Sequence, residues 1–379
     1  MIPLSEKYNI FFSFGSPKKL LPGGLSRYLY SFYNSKHLLK NEELWYFLCL
    51  GDKFFFSDKL ILLPWYKKNF FNKFLSLLIC FIFLSFSASR VIIIGSPILY
   101  ILRLLRPHNT ILHHHGLVSN EYKVSIKRSN NPLKNIISNL NVIVLRTLEF
   151  ISFRIYSKHI FYNNKIKKII KNSGFKVNFL PNFISNEFFK EEKSNLYINN
   201  SESCITLIVV GFFVKRKRLD YLYELFDKYL NKISFKLIIA GTVHIQYKKT
   251  FQKIIDKLNN LENISLTVHL NVENSKLIKL YDSADFLLHL SKAEGFPLVA
   301  QEALSRGCLI IAYTNVVNTV IPNEYMIPLE KKRYLKNYLG DFSININKLT
   351  QLKTKAKNYS YQNFKEDKFF LKFNKILEK

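Results

Sequence analysis

The chain reads as an α/β protein of two doubly wound domains that face each other across a cleft, and three observations lead there. From Thr206 to Tyr313, short apolar runs alternate with stretches of helical spacing. Such repetition of strand and helix gives a parallel sheet covered on both faces. Residues before 180 repeat the alternation less cleanly. Between the two halves, Pro181-Asn182-Phe183-Ile184 and a polar stretch of mixed charge from Glu187 to Ser203 break the pattern. That break sets a first domain of residues 1–183 and a second beginning at 184. A length of 379 residues suits two domains, and 48% hydrophobic residues are ample for their cores.

In the first domain, residues 7–14 form an apolar strand. Pro22-Gly23-Gly24 then make a loop ahead of a helix from Leu25 to Leu39. A strand, a glycine loop and a helix start together suit a phosphate, although two glycines alone equally describe a flexible turn. Glu43 to Leu50 is the next strand. Phe74 to Ala88 is almost wholly apolar and is followed by a strand at Val91 to Ile94. A membrane span needs about 20 apolar residues, so this run reads as a buried or membrane-contacting helix. Ile98 to Leu105 is helical in pattern. Asn109 to Leu112 is a strand that leads into His113-His114-His115-Gly116. Neighbouring residues on a strand point to opposite faces, so the three histidines do not make a metal site. His115, in the loop past the strand, is the one placed to touch a ligand, with a solvated loop as the alternative. Lys123 to Lys134 is a basic connector, and Leu133 to Ile155 is an apolar helix. His159 to Tyr162, Lys165 to Asn172 and Lys176 to Leu180 then read as strand, helix, strand.

The second domain alternates more regularly. Strands are expected at Thr206 to Val210, Lys236 to Ala240, Ile264 to Val268, Asp285 to Leu290 and Cys308 to Tyr313. Helices are expected at Leu219 to Leu230, Tyr247 to Leu258, Ser275 to Tyr281 and Pro297 to Arg306. Pro297 suits the first helical position, where a missing N–H costs nothing. Gly307 suits the position just past the helix end. The tail from Leu349 to Lys379 is basic, aromatic and helical in pattern.

Charge and cysteine usage bound the function classes. The formal net charge is +29. It is uneven: residues 1–185 hold 26 Lys+Arg against 7 Asp+Glu, a surplus of +19, and residues 186–379 hold 30 against 20, a surplus of +10. Such a field favours polyanions, anionic lipid or phosphorylated ligands. The cysteines Cys49, Cys80, Cys204 and Cys308 are scattered, which argues against structural zinc and against a disulfide framework, and fits a reducing cytoplasm. No signal-peptide pattern opens the chain.

The chemistry concentrates in two places. Gly211 ends a strand and is followed by Lys215-Arg216-Lys217-Arg218. Cations there would neutralise a pyrophosphate leaving group at a sheet's carboxyl edge, where ligands of such sheets bind. A solvated basic turn is the bland alternative. Gly241 ends the next strand in the same way. The second place is Ser291 to Gly307, where Glu294 lies in the loop before a helix and Glu302 lies on it. The free N–H groups and positive dipole end of that helix would meet an anion. Two glutamates could form an acid/base pair as in glycosidases. The neighbouring cations and helix N-terminus favour an anionic leaving group instead.

These residues together resemble the retaining glycosyltransferases of family 4. The similarity is strongest from Tyr281-Asp282-Ser283-Ala284-Asp285 through Glu294-Gly295-Phe296 and Glu302-Ala303 to Gly307. Pro181-Asn182 resembles the family's inter-domain element, with Phe183 in place of a glycine. Gly211 to Arg218 resembles its Gly…Arg-Lys-Gly segment, with Arg218 where glycine is commoner and Phe212 where arginine is frequent. Gly23-Gly24 and His115-Gly116 match its N-terminal loops. The resemblance implies a GT-B fold of two Rossmann-like domains. It implies a donor-binding domain of residues 184–355 and a C-terminal helix, 356–379, that crosses back to the first domain. It further implies that Arg216 and Lys217 bind the donor diphosphate and stabilise its developing charge, and that Glu294 holds sugar hydroxyls. Gly295, Phe296, Pro297, Leu298 and Val299 would meet phosphate or sugar, Glu302 the ribose, and His115 the sugar. Gly24 and Gly211 would allow close approach near the phosphates. No metal or other cofactor is implied, since cations take that role.

The expected function is transfer of a sugar from a nucleotide-diphosphate donor to a cell-surface polysaccharide or lipid-linked oligosaccharide, such as a lipopolysaccharide precursor. The expected partners are a nucleotide sugar, that acceptor and an anionic membrane surface, with the chain cytoplasmic and peripheral at the inner face of the membrane. A nucleotide-sugar epimerase of the same fold is the alternative enzyme. A basic protein binding nucleic acid or membrane is the non-enzymatic alternative, although no nucleic-acid motif is visible.

Overall fold

The structure, a computed structural model, describes residues 8–14, 24–35, 45–51, 55–57, 60–64, 76–80, 88–94, 109–114, 119, 122–123, 131–156, 158–161, 176–190, 204–231, 233–292, 294, 297–317 and 320–378. The helices expected at Ile98 to Leu105 and Lys165 to Asn172 lie outside these residues, as do most of the connector Lys123 to Lys134 and most of the run Phe74 to Ala88. The chain divides into two units, Met1–Asn182 with Phe370–Lys379, and Phe183–Phe369.

The first unit is built on a sheet whose strands are β1 (Tyr8–Phe14), β2 (Trp45–Gly51), β3 (Phe55–Ser57), β4 (Leu60–Pro64), β5 (Ala88–Ile94), β6 (Thr110–His114), β7 (Lys158–Phe161) and β8 (Lys176–Phe179). Their order is β3-β4-β2-β1-β5-β6-β7-β8, and every pairing is parallel except β3 with β4. Central parallel strands are buried on both faces, which is why Phe11-Phe12 and Val91 to Ile94 are continuous apolar runs. Helix α1 spans Gly24–Tyr33 and α2 spans Pro132–Ile155. An aromatic layer binds the C-terminal segment into this unit. Phe32 meets Phe370 at 5.2 Å and Phe373 at 5.5 Å between ring centroids, and Phe11 lies 4.5 Å from Trp45.

The second unit has strands β9 (Ile205–Phe213), β10 (Phe235–Val243), β11 (Ile264–Leu270), β12 (Phe286–His289), β13 (Leu309–Ala312) and β14 (Met326–Pro328). Their order is β11-β10-β9-β12-β13-β14, all pairings parallel. In chain sequence this is 3-2-1-4-5-6, the order of dinucleotide-binding sheets, and the order reverses between β9 and β12. Helices α3 (Tyr221–Glu224), α4 (Lys248–Asn259), α5 (Asn274–Asp282), α6 (Leu298–Ser305), α7 (Thr314–Val317), α8 (Leu335–Ile344), α9 (Ile346–Phe364) and α10 (Glu366–Glu378) complete the chain. Helix α4 buries Phe251, Ile254, Ile255 and Leu258, the i, i+3, i+4, i+7 stripe of an amphipathic helix.

Several elements differ from expectation. The hairpin β3–β4, the edge strand β14 and helix α8 fall in stretches whose patterns are too short or too mixed to read. Ala88 opens β5 instead of closing a helix. The helix expected at Leu219 to Leu230 is one α turn that widens into a π turn at Leu225–Tyr229. Helix α1 ends at Tyr33, short of Leu39. Pro297 is the residue before α6, not its first helical residue, and its ψ of 74° is non-helical.

Candidate active site

The site assembles where β9 and β12 end, at the point where the strand order reverses. Past β9 the chain makes a tight 3-10 turn at Lys215–Lys217. Past β12 it runs through Leu290 and Ser291 to Glu294 and into α6. The two stretches, about 77 residues apart in sequence, are joined by one carboxylate. Glu294 takes the Arg216 guanidinium on one oxygen at 2.7 Å and the Lys217 ammonium on the other at 2.6 Å. Burial alone would raise its pKa, but the charges of Lys217 and Arg216 outweigh burial and hold the carboxyl far below the ordinary carboxylate range. Glu294 is therefore ionised and cannot serve as a proton donor near neutral pH.

His289, the last residue of β12, stands beside this trio, with Nε2 3.8 Å from Glu294 Oε1. That exceeds hydrogen-bond length. Burial and the charge of Lys217 bring its pKa down from 6.5 to about 4, against the pull of Glu294. The ring is thus neutral at pH 7. Its Nε2 and the Ser291 Oγ are buried with no hydrogen-bond partner among the described residues. Orphaned buried polar atoms cost about 1–3 kcal/mol each. Here they lie at the edge where a ligand's oxygens would satisfy them.

Two glycines shape the floor. Gly211 and Gly241 pair across β9 and β10. A Cβ on Gly241 would lie 1.9 Å from the Gly211 carbonyl oxygen, so no side chain fits there. Gly211 lies under the Lys217 stem, and a Cβ there would be 3.7 Å from Lys217 Cε. The turn is closed by Arg218 in the left-handed region, φ 53° and ψ 40°. Glycine would be unstrained at that position. Arg218 is held by donating to the Tyr313 hydroxyl at 3.0 Å and by stacking its guanidinium 4.7 Å from the Tyr221 ring centroid.

Helix α6 is buried along its length. At its end the Gly307 N–H bonds the Leu304 carbonyl and the Cys308 N–H bonds the Ala303 carbonyl, with Gly307 at φ 88°. This is a Schellman cap, and it fulfils the expectation for Gly307. Glu302 is buried on this helix and accepts from the Tyr281 hydroxyl at 3.4 Å. Arg306 forks onto Asp282 at 2.8 and 2.7 Å and donates to the Phe188 and Lys190 carbonyls. Asp285 accepts from the Thr206 N–H and from Lys353. Asp282, Asp285 and Arg306 are thus structural ties that fix α6 and β12.

Of the residues singled out in the sequence, Arg216, Lys217, Gly211 and Glu294 come together. Pro297 precedes α6 and Leu298 and Val299 open it, and the first N–H groups of a helix have no partner within it. Glu302 lies one turn further on. Gly24 is the first residue of α1. His115, Gly295 and Phe296 lie outside the described residues. His113 and His114 are buried within the first unit's sheet, His114 Nε2 being 3.1 Å from His159 Nδ1. His289, Ser291 and Arg306 carry weight that the sequence reading did not give them. The position of His289 at a strand's carboxyl end was the available signal.

A sheet with this strand order and ion-paired cations at its reversal point has the architecture of nucleotide-binding α/β units. Residues 191–365 match the family of glycosyl transferases group 1. The matched stretch lies within the second unit and includes Gly211, Arg216, Lys217, Glu294 and Glu302. Among solved structures, sucrose-phosphate synthase from Thermosynechococcus elongatus is similar with a TM-score of 0.74 and 14% identity, covering 98% of both chains. HepE of Anabaena, in complex with UDP and glucose, is similar with a TM-score of 0.67 and 12% identity over 98% of this chain and 99% of that one. WaaG, a glycosyltransferase involved in lipopolysaccharide biosynthesis, gives 0.65 and 16% over 97% and 98%. These likenesses show the GT-B fold. No curated protein matches the chain in sequence.

Proposed function

We infer that the protein is a retaining glycosyltransferase that moves a sugar from a nucleotide-diphosphate donor to a cell-surface polysaccharide or a lipid-linked oligosaccharide. The observation that carries this reading is the ion-paired trio of Arg216, Glu294 and Lys217 at the reversal point of the sheet. Two half-buried cations placed there match a diphosphate, and their charge would grow in value as the sugar departs and negative charge develops on the leaving oxygens. Such cations take the role that a divalent metal has in other transferases. Glu294 holds their place in the absence of donor. When the diphosphate takes over Arg216 and Lys217, the carboxylate is released toward the sugar hydroxyls. His289 Nε2 and Ser291 Oγ then find partners on the ligand. The N–H groups of Leu298 and Val299 face phosphate or sugar, and Glu302 the ribose. UDP in the HepE complex and lipopolysaccharide biosynthesis for WaaG support a nucleotide donor and a cell-surface acceptor.

The test combines binding and turnover. A panel of UDP- and GDP-sugars is screened by thermal shift, since a bound donor raises apparent stability by mass action. With the stabilising donor, Lys217→Ala lowers both nucleoside-diphosphate affinity and turnover, the latter by roughly 10²–10³-fold. Glu294→Gln lowers turnover by a similar order, roughly 10²-fold, yet binds the nucleoside diphosphate at least as tightly as the parent, because the competing carboxylate is gone. Unchanged turnover in both variants would sink the assignment.

A further inference from the structure

Helix α2 turns a strip of apolar residues outward. Leu133, Ile136, Ile137, Leu140, Ile143 and Val144 are each more than half exposed, and their spacing of three and four places them along one face. The inward face is mixed, with Val142 and Phe153 buried beside polar residues. Asn135 and Ser138 are partly covered, Ser152 is buried, and Glu149 is buried while accepting from the Ser119 N–H and hydroxyl at 3.2 and 2.6 Å. Surface helices of water-soluble domains carry mainly polar residues on their outward face. An exposed apolar strip of this extent, on a helix about 36 Å long, marks a contact surface.

Charge indicates what covers it. Among the described side chains of α2 the exposed charges are Arg146 and Arg154, and the one acid is the buried Glu149. The Arg154 guanidinium lies 4.4 Å from the centroid of the exposed Phe150 ring, an amphipathic pair suited to a headgroup boundary. The first 185 residues carry the larger share of the +29 net charge. We propose that α2 lies flat in the surface of an anionic lipid bilayer, with its outward face at the acyl boundary and Arg146 and Arg154 at the lipid phosphates. The window Asn135–Ile155 is long and apolar enough to cross a membrane. The helix is nonetheless held side-on to its own unit, through Glu149 and through Phe153, whose ring lies 5.1 Å from that of His114, and β7 starts at Lys158. This contact is distinct from the one expected at Phe74 to Ala88, most of which lies outside the described residues. Of that run, the described residues Ser76 and Cys80 are buried and Leu78 is exposed, and Ser76 donates to the Pro64 carbonyl. The proposal does not depend on sugar transfer.

Flotation of the full chain with phosphatidylcholine vesicles, with and without phosphatidylglycerol, tests it. The protein floats with the anionic vesicles and is released by high salt. Ile136→Glu combined with Ile143→Glu lowers the bound fraction about tenfold or more. Arg146→Ser and Arg154→Ser each weaken anionic binding about fivefold. Ile245→Glu, at an equally exposed position of the second unit, leaves binding unchanged. Tryptophan fluorescence of Ile143→Trp shifts to the blue on vesicle addition and keeps the test open should the double glutamate variant fold poorly. Failure to float with anionic vesicles, equal binding by the charged variant, or no spectral shift would each overturn the proposal. A dimer dissolved by Ile136→Glu and Ile143→Glu, without vesicle binding, would assign the face to a second copy of the chain.

Discussion

Gly241 shows how strictly single atoms set this site. Its hydrogen faces the Gly211 carbonyl oxygen at a separation no Cβ tolerates, and its own φ of 148° disfavours an L side chain. Gly241→Ala must part β9 from β10 at the ligand edge, with an expected loss of roughly 2 kcal/mol or more in urea unfolding and a fall in donor affinity. Gly340 offers the contrast. It lies inside α8, and an added Cβ would meet nothing within 4 Å. Gly340→Ala should raise stability by roughly 0.5–1 kcal/mol, because alanine gives up less chain entropy in a helix. The candidate residues Arg216, Lys217 and Glu294 were legible because residue type and position at a strand's end both pointed to them. Their mutual pairing was not legible, since a carboxylate 77 positions away in sequence has no local signature. His289 was missed for a related reason: its neutral, buried state is created by neighbours from other segments.

At the scale of elements, α6 is the part most fully written in its own sequence. Gly307 supplies the left-handed cap that two backbone hydrogen bonds require. In Gly307→Ala the new Cβ would sit 2.9 Å from Lys357 Cε and 3.3 Å from the Lys353 carbonyl, so a loss of roughly 1–2 kcal/mol is expected by chemical denaturation. The long apolar runs of the central strands were equally legible, because burial on both faces leaves no other composition workable. Short elements escaped. β14 has three residues, and β3 and β4 are separated by Asp58-Lys59. Such pieces are strands only because a neighbouring strand offers its hydrogen-bonding edge. The π turn at Leu225–Tyr229 likewise has no periodicity of its own to announce it.

Across the whole molecule, buried histidines make stability depend on pH. Burial lowers His113 to about 3, His159 to about 4, and His114 well below 6.5 with added repulsion from His159 and His113. His289 in the second unit is lowered to about 4. Their folded-state values lie below the unfolded value of 6.5, so the unfolded chain binds protons first. The stability they support is present above pH 6.5 and is lost as the pH falls toward about 4, each group contributing up to ~1.4 kcal/mol per pH unit. Thermal unfolding followed from pH 7.5 to 4.5 should show a falling midpoint, steeper than in a His114→Asn, His159→Asn variant. A flat profile over that range would contradict the burial of these rings.

Sequence alone determined that strands and helices alternate, that a break falls near Pro181-Asn182, and that cations follow Gly211 while one glutamate precedes α6 and another lies on it. It could do so because apolar periodicity, turn chemistry and capping act over a few residues. Tertiary structure decided which strand lies beside which. Only the order β11-β10-β9-β12 makes the ends of β9 and β12 neighbours and lets Glu294 close on Arg216 and Lys217. It also decided which side of α2 meets solvent, a choice that an apolar helix leaves open until Ser119 claims Glu149 and the sheet claims Phe153. In both cases the deciding interaction joins residues far apart in the chain, and the free energy that selects it exists only once the sheet has formed.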